Sequence, residues 1–202
     1  MVERADLRRR PQRTTVKDIL RTAVNLEKKT MALYMQFTRA FQAKEELRKF
    51  WFGMARHEAS HLGALALVEG VIENDPDIGE SSKVWFDPST VVRLRSLLNV
   101  YGREAREQIS VERAFEMAID VESSELEDVV VDLLHVVREQ MVRDQAVKLL
   151  IHDLSDLSYM VEKFTSDEAL LARADALVEH RFDALFVAQH QKTDTLLWKV
   201  GR

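Results

Sequence analysis

Apolar residues recur along this chain at spacings of three and four, the period of an α-helix that buries one face. Ile19, Ala23, Leu26, Thr30, Leu33 and Phe37 form the first such stripe, running to about Phe41. Glu27 lies beside it, and Tyr34, seven residues on, shares the face of Glu27. The segment Thr15-Val16-Lys17-Asp18 resembles a capping box with Asp in place of Glu, so the helix should begin at Thr14 or Thr15. After a short turn near Gln42–Lys44, Trp51, Met54, Ala55, Glu58, Leu62 and Leu65 make the inner face of a second helix, about 45 to 71. So short a connection predicts an antiparallel pair.

The stretch 72–88 is rich in Asn, Asp, Pro, Gly and Ser and predicts a loop. Ser89 or Thr90 then caps a helix to about Arg106, carrying Val91, Val92, Leu94, Leu97, Leu98 and Tyr101. A third long helix is expected from the cap Ser110 to about Val137, with Phe115, Ala118, Glu122, Glu125, Val129 and Leu133 on one face. A fourth, about 140 to 164, carries Leu149, Leu150, Asp153, Asp156, Leu157 and Met160. A last amphipathic helix should follow the cap Ser166, to about His190. No alternating strand pattern stands out, and neither Gly nor Pro occurs between Gly102 and Gly201. The expected fold class is therefore all-α.

Composition narrows the function classes. The 202 residues are 46% hydrophobic and 31% charged, with a net charge of -5, as in an ordinary globular protein. With no cysteine, disulfides, thiolate metal sites and iron–sulfur clusters are excluded. Residues 1–13 hold Arg4, Arg8, Arg9, Arg10 and Arg13 without interleaved aromatics or an apolar run. They read as a basic flexible arm, neither a secretory signal nor a nucleic-acid contact. No stretch is apolar for long enough to span a bilayer, and a cytoplasmic location is expected.

The chemistry lies in carboxylates on inward faces. Glu58 and His61 stand three apart, so on a helix both reach one ion. Glu27 precedes Glu58 by 31 residues, and Glu122 precedes Asp153 by the same 31. At an offset of 95, His57-Glu58-Ala59-Ser60-His61-Leu62 falls on His152-Asp153-Leu154-Ser155-Asp156-Leu157. Two hairpins with acids at matching depth can converge on a common centre. Glu27, Glu58, Glu122, Glu125, Asp153 and Asp156 have no Lys or Arg on their stripes. An unpaired buried carboxylate costs several kcal/mol, and two divalent cations are the simplest compensation for the set. His57 and His152 lie off these faces, and His135, His180 and His190 read as ordinary.

At these residues the chain resembles the rubrerythrin branch of the ferritin-like superfamily, over about 15 to 164. Glu27, Glu58 and His61 match one ligand set in full. Glu122 matches in the second half, and Glu125 falls where that family carries an extra glutamate, opposite Thr30. Asp153 and Asp156 depart from the family's Glu and His. The resemblance implies a ferritin-like antiparallel four-helix bundle over 14–164, with a long crossover containing a short helix. Residues 165–202 would add a C-terminal helix and tail.

It also implies a centre of two metal ions, iron foremost and manganese next. Glu58 and Asp153 would bridge the ions, and Glu27 and Glu122 would be terminal ligands. His61 and Glu125 would compete for or share one ion, and Tyr34 would hydrogen-bond a ligand or bound peroxide. The implied activity is reduction of peroxide or dioxygen, with electrons from a separate donor protein and a homodimer as the assembly. Two further readings stand beside it: metal uptake for storage, and a bundle with a degenerate site that acts in protein interaction.

Overall fold

The computed structural model describes residues 12–74, 83–86, 88–124 and 154–180. Among these the chain is helical, apart from one short strand pair. Helix α1, Val16–Ala40, starts at the cap Thr15, whose hydroxyl accepts from the Asp18 N–H at 3.1 Å and donates to the Asp18 carboxylate at 2.7 Å. Its buried stripe holds Ile19, Ala23, Leu26, Glu27, Thr30, Leu33, Tyr34 and Phe37, as the periodicity predicts. Helix α2, Glu45–Asn74, buries Leu47, Trp51, Met54, Glu58, His61, Leu65 and Val68. These positions alternate by three and four, which keeps one face toward a partner helix. Leu62 is only half-buried, and His61 takes the inward place beside it.

The two helices are antiparallel. Tyr34 and Phe37 of α1 meet Trp51 early in α2, while Glu27, nearer the start of α1, meets His61 further along α2. Helix α3, Pro88–Glu104, packs on α1, where Lys29 donates to Asn99 at 2.6 Å. Helix α4, Val111–Glu122, begins at Ser110, which accepts from the Arg113 N–H at 3.1 Å. It lays Phe115 against Trp51 with ring centroids 5.2 Å apart. Trp51 thereby joins α1, α2 and α4: Phe37 packs edge-on at 4.8 Å and Phe50 at 4.7 Å.

Several expectations are corrected. Strand β1, Gln12–Thr15, pairs antiparallel with β2, Lys83–Phe86, so part of the expected arm and part of the expected loop are extended and paired. Thr14-Thr15 and Val84-Trp85-Phe86 supply the β-branched and aromatic residues that suit strands. Helix α2 continues to Asn74, past the expected end near 71. Helix α4 ends at Glu122 instead of running to 137. There the Ser123 hydroxyl and N–H both turn back to the Ile119 carbonyl, and the Ser124 N–H bonds Val121, a tightened last turn that stops propagation.

The chain is helical again over 154–164 and 168–180. The second segment is capped by Asp167, one residue beyond the expected Ser166, with its carboxylate accepting from the N–H groups of Ala169 and Leu170 at 2.9 and 3.1 Å. Leu154, Leu157, Met160 and Val161 of one segment and Leu170, Ala174 and Leu177 of the other join the main core. The second segment is tied to α4 where Arg173 meets Asp120 at 2.5 Å, and Asp120 also accepts from Tyr101 of α3. Residues 1–11 of the expected arm, residues 125–153 of the expected third and fourth helices, and residues 181–202, with the end of the expected last helix and the tail, lie outside the described residues. No helix among the described residues is long and apolar enough to cross a membrane.

Candidate metal centre

Three elements bring the site together. Helix α1 supplies Glu27 and Thr30, α2 supplies Glu58 and His61, and the end of α4 supplies Val121 and Glu122, with Ser124 just beyond. These seven residues line one narrow cleft, with room for a body about the size of a water molecule. Glu27, Thr30, Glu58, His61 and Glu122 are all buried. Among the described residues that line the cleft there is no lysine or arginine. Glu27 and Glu58 occupy inward positions because each falls on the buried period of its helix, as Leu26 and Ala55 do beside them.

The donor atoms are close. One ligand atom each from Glu27, Glu58 and His61 lie within 4.8 Å of one another. His61 Nδ1 stands 3.4 Å from Glu58 Oε2 and 3.7 Å from Glu27 Oε2. Ligands bonded to one ion at about 2.1 Å are separated by about 3.0–4.2 Å, so both distances suit a common ion. Two carboxylates with one imidazole, without thiolates, form a donor set for iron, manganese or zinc. Burial pushes the Glu27 carboxyl up. Hydrogen bonding with Glu58 and with His61, and the charge of His61, outweigh it, and the group sits below the ordinary carboxylate range.

Glu122 lines the same cleft but is not one of the three clustered donors. Its Oε1 accepts a hydrogen bond from the Tyr34 hydroxyl, which is fully buried. Tyr34 itself stacks on Trp51, centroids 5.9 Å apart and ring planes 24° from parallel. Thr30 bonds its own helix, donating to the Leu26 carbonyl at 3.2 Å, so its methyl and hydroxyl form wall and not anchor.

The structure gathers four of the seven expected ligands, Glu27, Glu58, His61 and Glu122, and sets Tyr34 beside them. Glu125 and Asp153 lie outside the described residues. Asp156 is a correction: it is exposed, because segment 154–164 buries Leu154, Leu157, Met160 and Val161. A side chain one position before Leu157 points about 100° away from it. His57, expected off the inward face, is half-buried. Sequence reading missed Val121 and Ser124 as cleft walls. The signal for Ser124 was the Ser123-Ser124 pair, which can end a helix next to a buried acid.

Compared with known protein families, with curated proteins and with solved structures, the chain matches none.

Proposed function

We propose that this chain is a ferritin-like bundle of the rubrerythrin type whose carboxylate centre takes two metal ions, iron foremost and manganese as the alternative. The proposed activity is reduction of peroxide or dioxygen, with electrons from a separate donor protein. The observation that carries the reading is the buried Glu27, Glu58 and His61, with donor atoms within 4.8 Å and no lysine or arginine in the cleft wall. Glu27 and His61 would hold the first ion from facing helices, together with Glu58. Glu122, which lines the same cleft, would be a ligand of the second ion, with Glu125 and Asp153 as its further proposed ligands. When bound, the ions supply the change of oxidation state that the side chains cannot. Behind the cleft, the Tyr34 ring packs on Trp51 and Phe37, all three fully buried. The reading takes the protein to be a cytoplasmic homodimer.

The outward position of Asp156 favours a second reading. In it the centre holds one ion without turnover, and the bundle serves metal uptake or protein interaction. The experiment that separates them combines metal analysis with peroxide consumption by iron-loaded protein in the presence of a reductant. About two ions per chain and steady peroxide loss support the first reading. Iron-loaded protein inert to both peroxide and dioxygen supports the second.

A further inference from the structure

We infer that the outer face of α1 and α3 is the docking surface for an acidic one-electron carrier protein, which passes electrons through α1 to the centre at Glu27. The inference rests on the reading above and names the chemistry of its separate donor. Over residues 21–40 of α1 the one acid is Glu27, which is buried, and over 88–103 of α3 there is none. Arg21, Lys28, Lys29, Arg95 and Arg103 are all exposed there. In a chain of net charge -5, two packed helices thus present cations with no exposed carboxylate among them.

The two helices make one surface. Lys29 donates to Asn99 at 2.6 Å, and Arg95 and Arg103 stand four residues before and after Asn99, on its side of α3. Among the described residues Arg21, Lys28, Arg95 and Arg103 take part in no ion pair, so their charge faces solvent. Val92 and Val100, 59% and 43% exposed, add apolar contact beside the arginines, a mixture that suits a protein partner. No exposed aromatic residue lies on these stretches for nucleic-acid bases to stack on.

The face also lies over the centre. Lys29 follows Glu27 by two residues, about 200° around the helix, so the exposed ammonium and the buried carboxylate sit on opposite sides of α1. A carrier docked there is one helix diameter, about 10 Å, from that carboxylate. Two reduced carriers each give up one electron. These, with two protons from solvent, reduce one hydrogen peroxide to two waters.

The test is calorimetric binding of a plant-type ferredoxin, a small acidic iron–sulfur protein, to the full chain as purified. Wild type should bind at about 20 mM salt and at least about tenfold more weakly at about 200 mM. Arg95→Glu/Arg103→Glu should weaken low-salt binding at least about tenfold. Arg48→Glu/Arg56→Glu, the same change of charge on the exposed side of α2, should stay within about threefold of wild type. Carbodiimide cross-linking of wild type to ferredoxin needs no variant to fold, and should join ferredoxin carboxylates to Lys28 or Lys29.

No binding at low salt, equal losses in the two double variants, or cross-links confined to lysines on other elements would overturn the inference. So would a DNA duplex that binds wild type more tightly than ferredoxin and is lost in Arg95→Glu/Arg103→Glu. The binding arm needs no bound metal. Docking by a chain that is inert to peroxide when iron-loaded supports this face and sinks the activity reading, whereas peroxide turnover without docking sinks the inference alone.

Discussion

His61 Nδ1 lies 3.4 Å from the Glu58 carboxylate one turn earlier on α2, and both side chains face Glu27 across the hairpin. A three-residue spacing on one helix therefore becomes a two-helix cluster, because α1 and α2 run antiparallel with Glu27 at matching depth. Two carboxylates buried against one imidazole leave negative charge that a divalent ion would neutralise.

The first prediction concerns that neutralisation. Mn²⁺ or Fe²⁺ at about 100 times its dissociation constant should stabilise the fold by about 2.7 kcal/mol, read as a rise in Tm that chelator reverses. Glu58→Gln should lower metal affinity at least about tenfold, since it removes a charged donor facing His61. A rise in Tm unchanged by Glu58→Gln would place the ion elsewhere.

Acid should weaken the site in two ways. Metal ligands must be deprotonated, so apparent affinity falls as pH drops through the imidazole and carboxylate ranges. In the metal-free protein the Glu27 carboxyl is held below its ordinary value of 4.5. Its stabilising contribution is present above that value and fades as pH falls through the lower, folded-state value. Urea midpoints measured against pH should therefore fall less steeply on the acid side in Glu27→Gln than in wild type. Parallel profiles would contradict the assignment.

Trp51 offers a test of the packing that positions the centre. It is fully buried and touches aromatic rings from α1, α2 and α4. Trp51→Ala should cost about 3–5 kcal/mol in urea unfolding. Trp51→Phe should cost far less, because it keeps a ring and removes an indole N–H that has no hydrogen-bond partner among the described residues. Equal losses for the two variants would mean that ring packing is not what Trp51 contributes.

Asp120 joins three helical segments at one carboxylate, accepting from Tyr101 of α3 and Arg173 of segment 168–180. Asp120→Ala leaves the buried Tyr101 hydroxyl without its acceptor. The expected cost is about 1–2 kcal/mol, the Arg173 share being discounted because that pair is solvent-accessible. Arg173→Ala should cost less, under about 1 kcal/mol. A larger loss for Arg173→Ala than for Asp120→Ala would reverse this ordering.

Much of this was legible in the residues. The stripe from Ile19 to Phe37, the caps Thr15 and Ser110, and the inward placing of Glu27, Glu58 and Glu122 follow from helical period and capping chemistry alone. What escaped reading depends on non-local pairing or on a choice of face. Gln12–Thr15 and Lys83–Phe86 become strands only because each pairs with the other across 67 residues of chain, and neither alternates polar and apolar clearly. Asp156 looked inward because Asp153, Leu157 and Met160 share a plausible stripe with it. Leu157 and Met160 are indeed buried, but Leu154 and Val161 join them, and the buried face so centred leaves Asp156 exposed. The end of α4 at Glu122 was hidden because no Gly or Pro marks it; there the Ser123 hydroxyl and the Ser124 N–H bond back to the helix instead.

The central claim is that Glu27, Glu58 and His61 hold a metal ion. Its most direct test is metal analysis of the wild-type chain and Glu58→Gln, each purified from medium supplemented with iron and manganese. The account predicts about one to two Fe or Mn ions per wild-type chain and clear depletion in the variant. Metal-free wild-type protein, or equal metal content in the two, would contradict it.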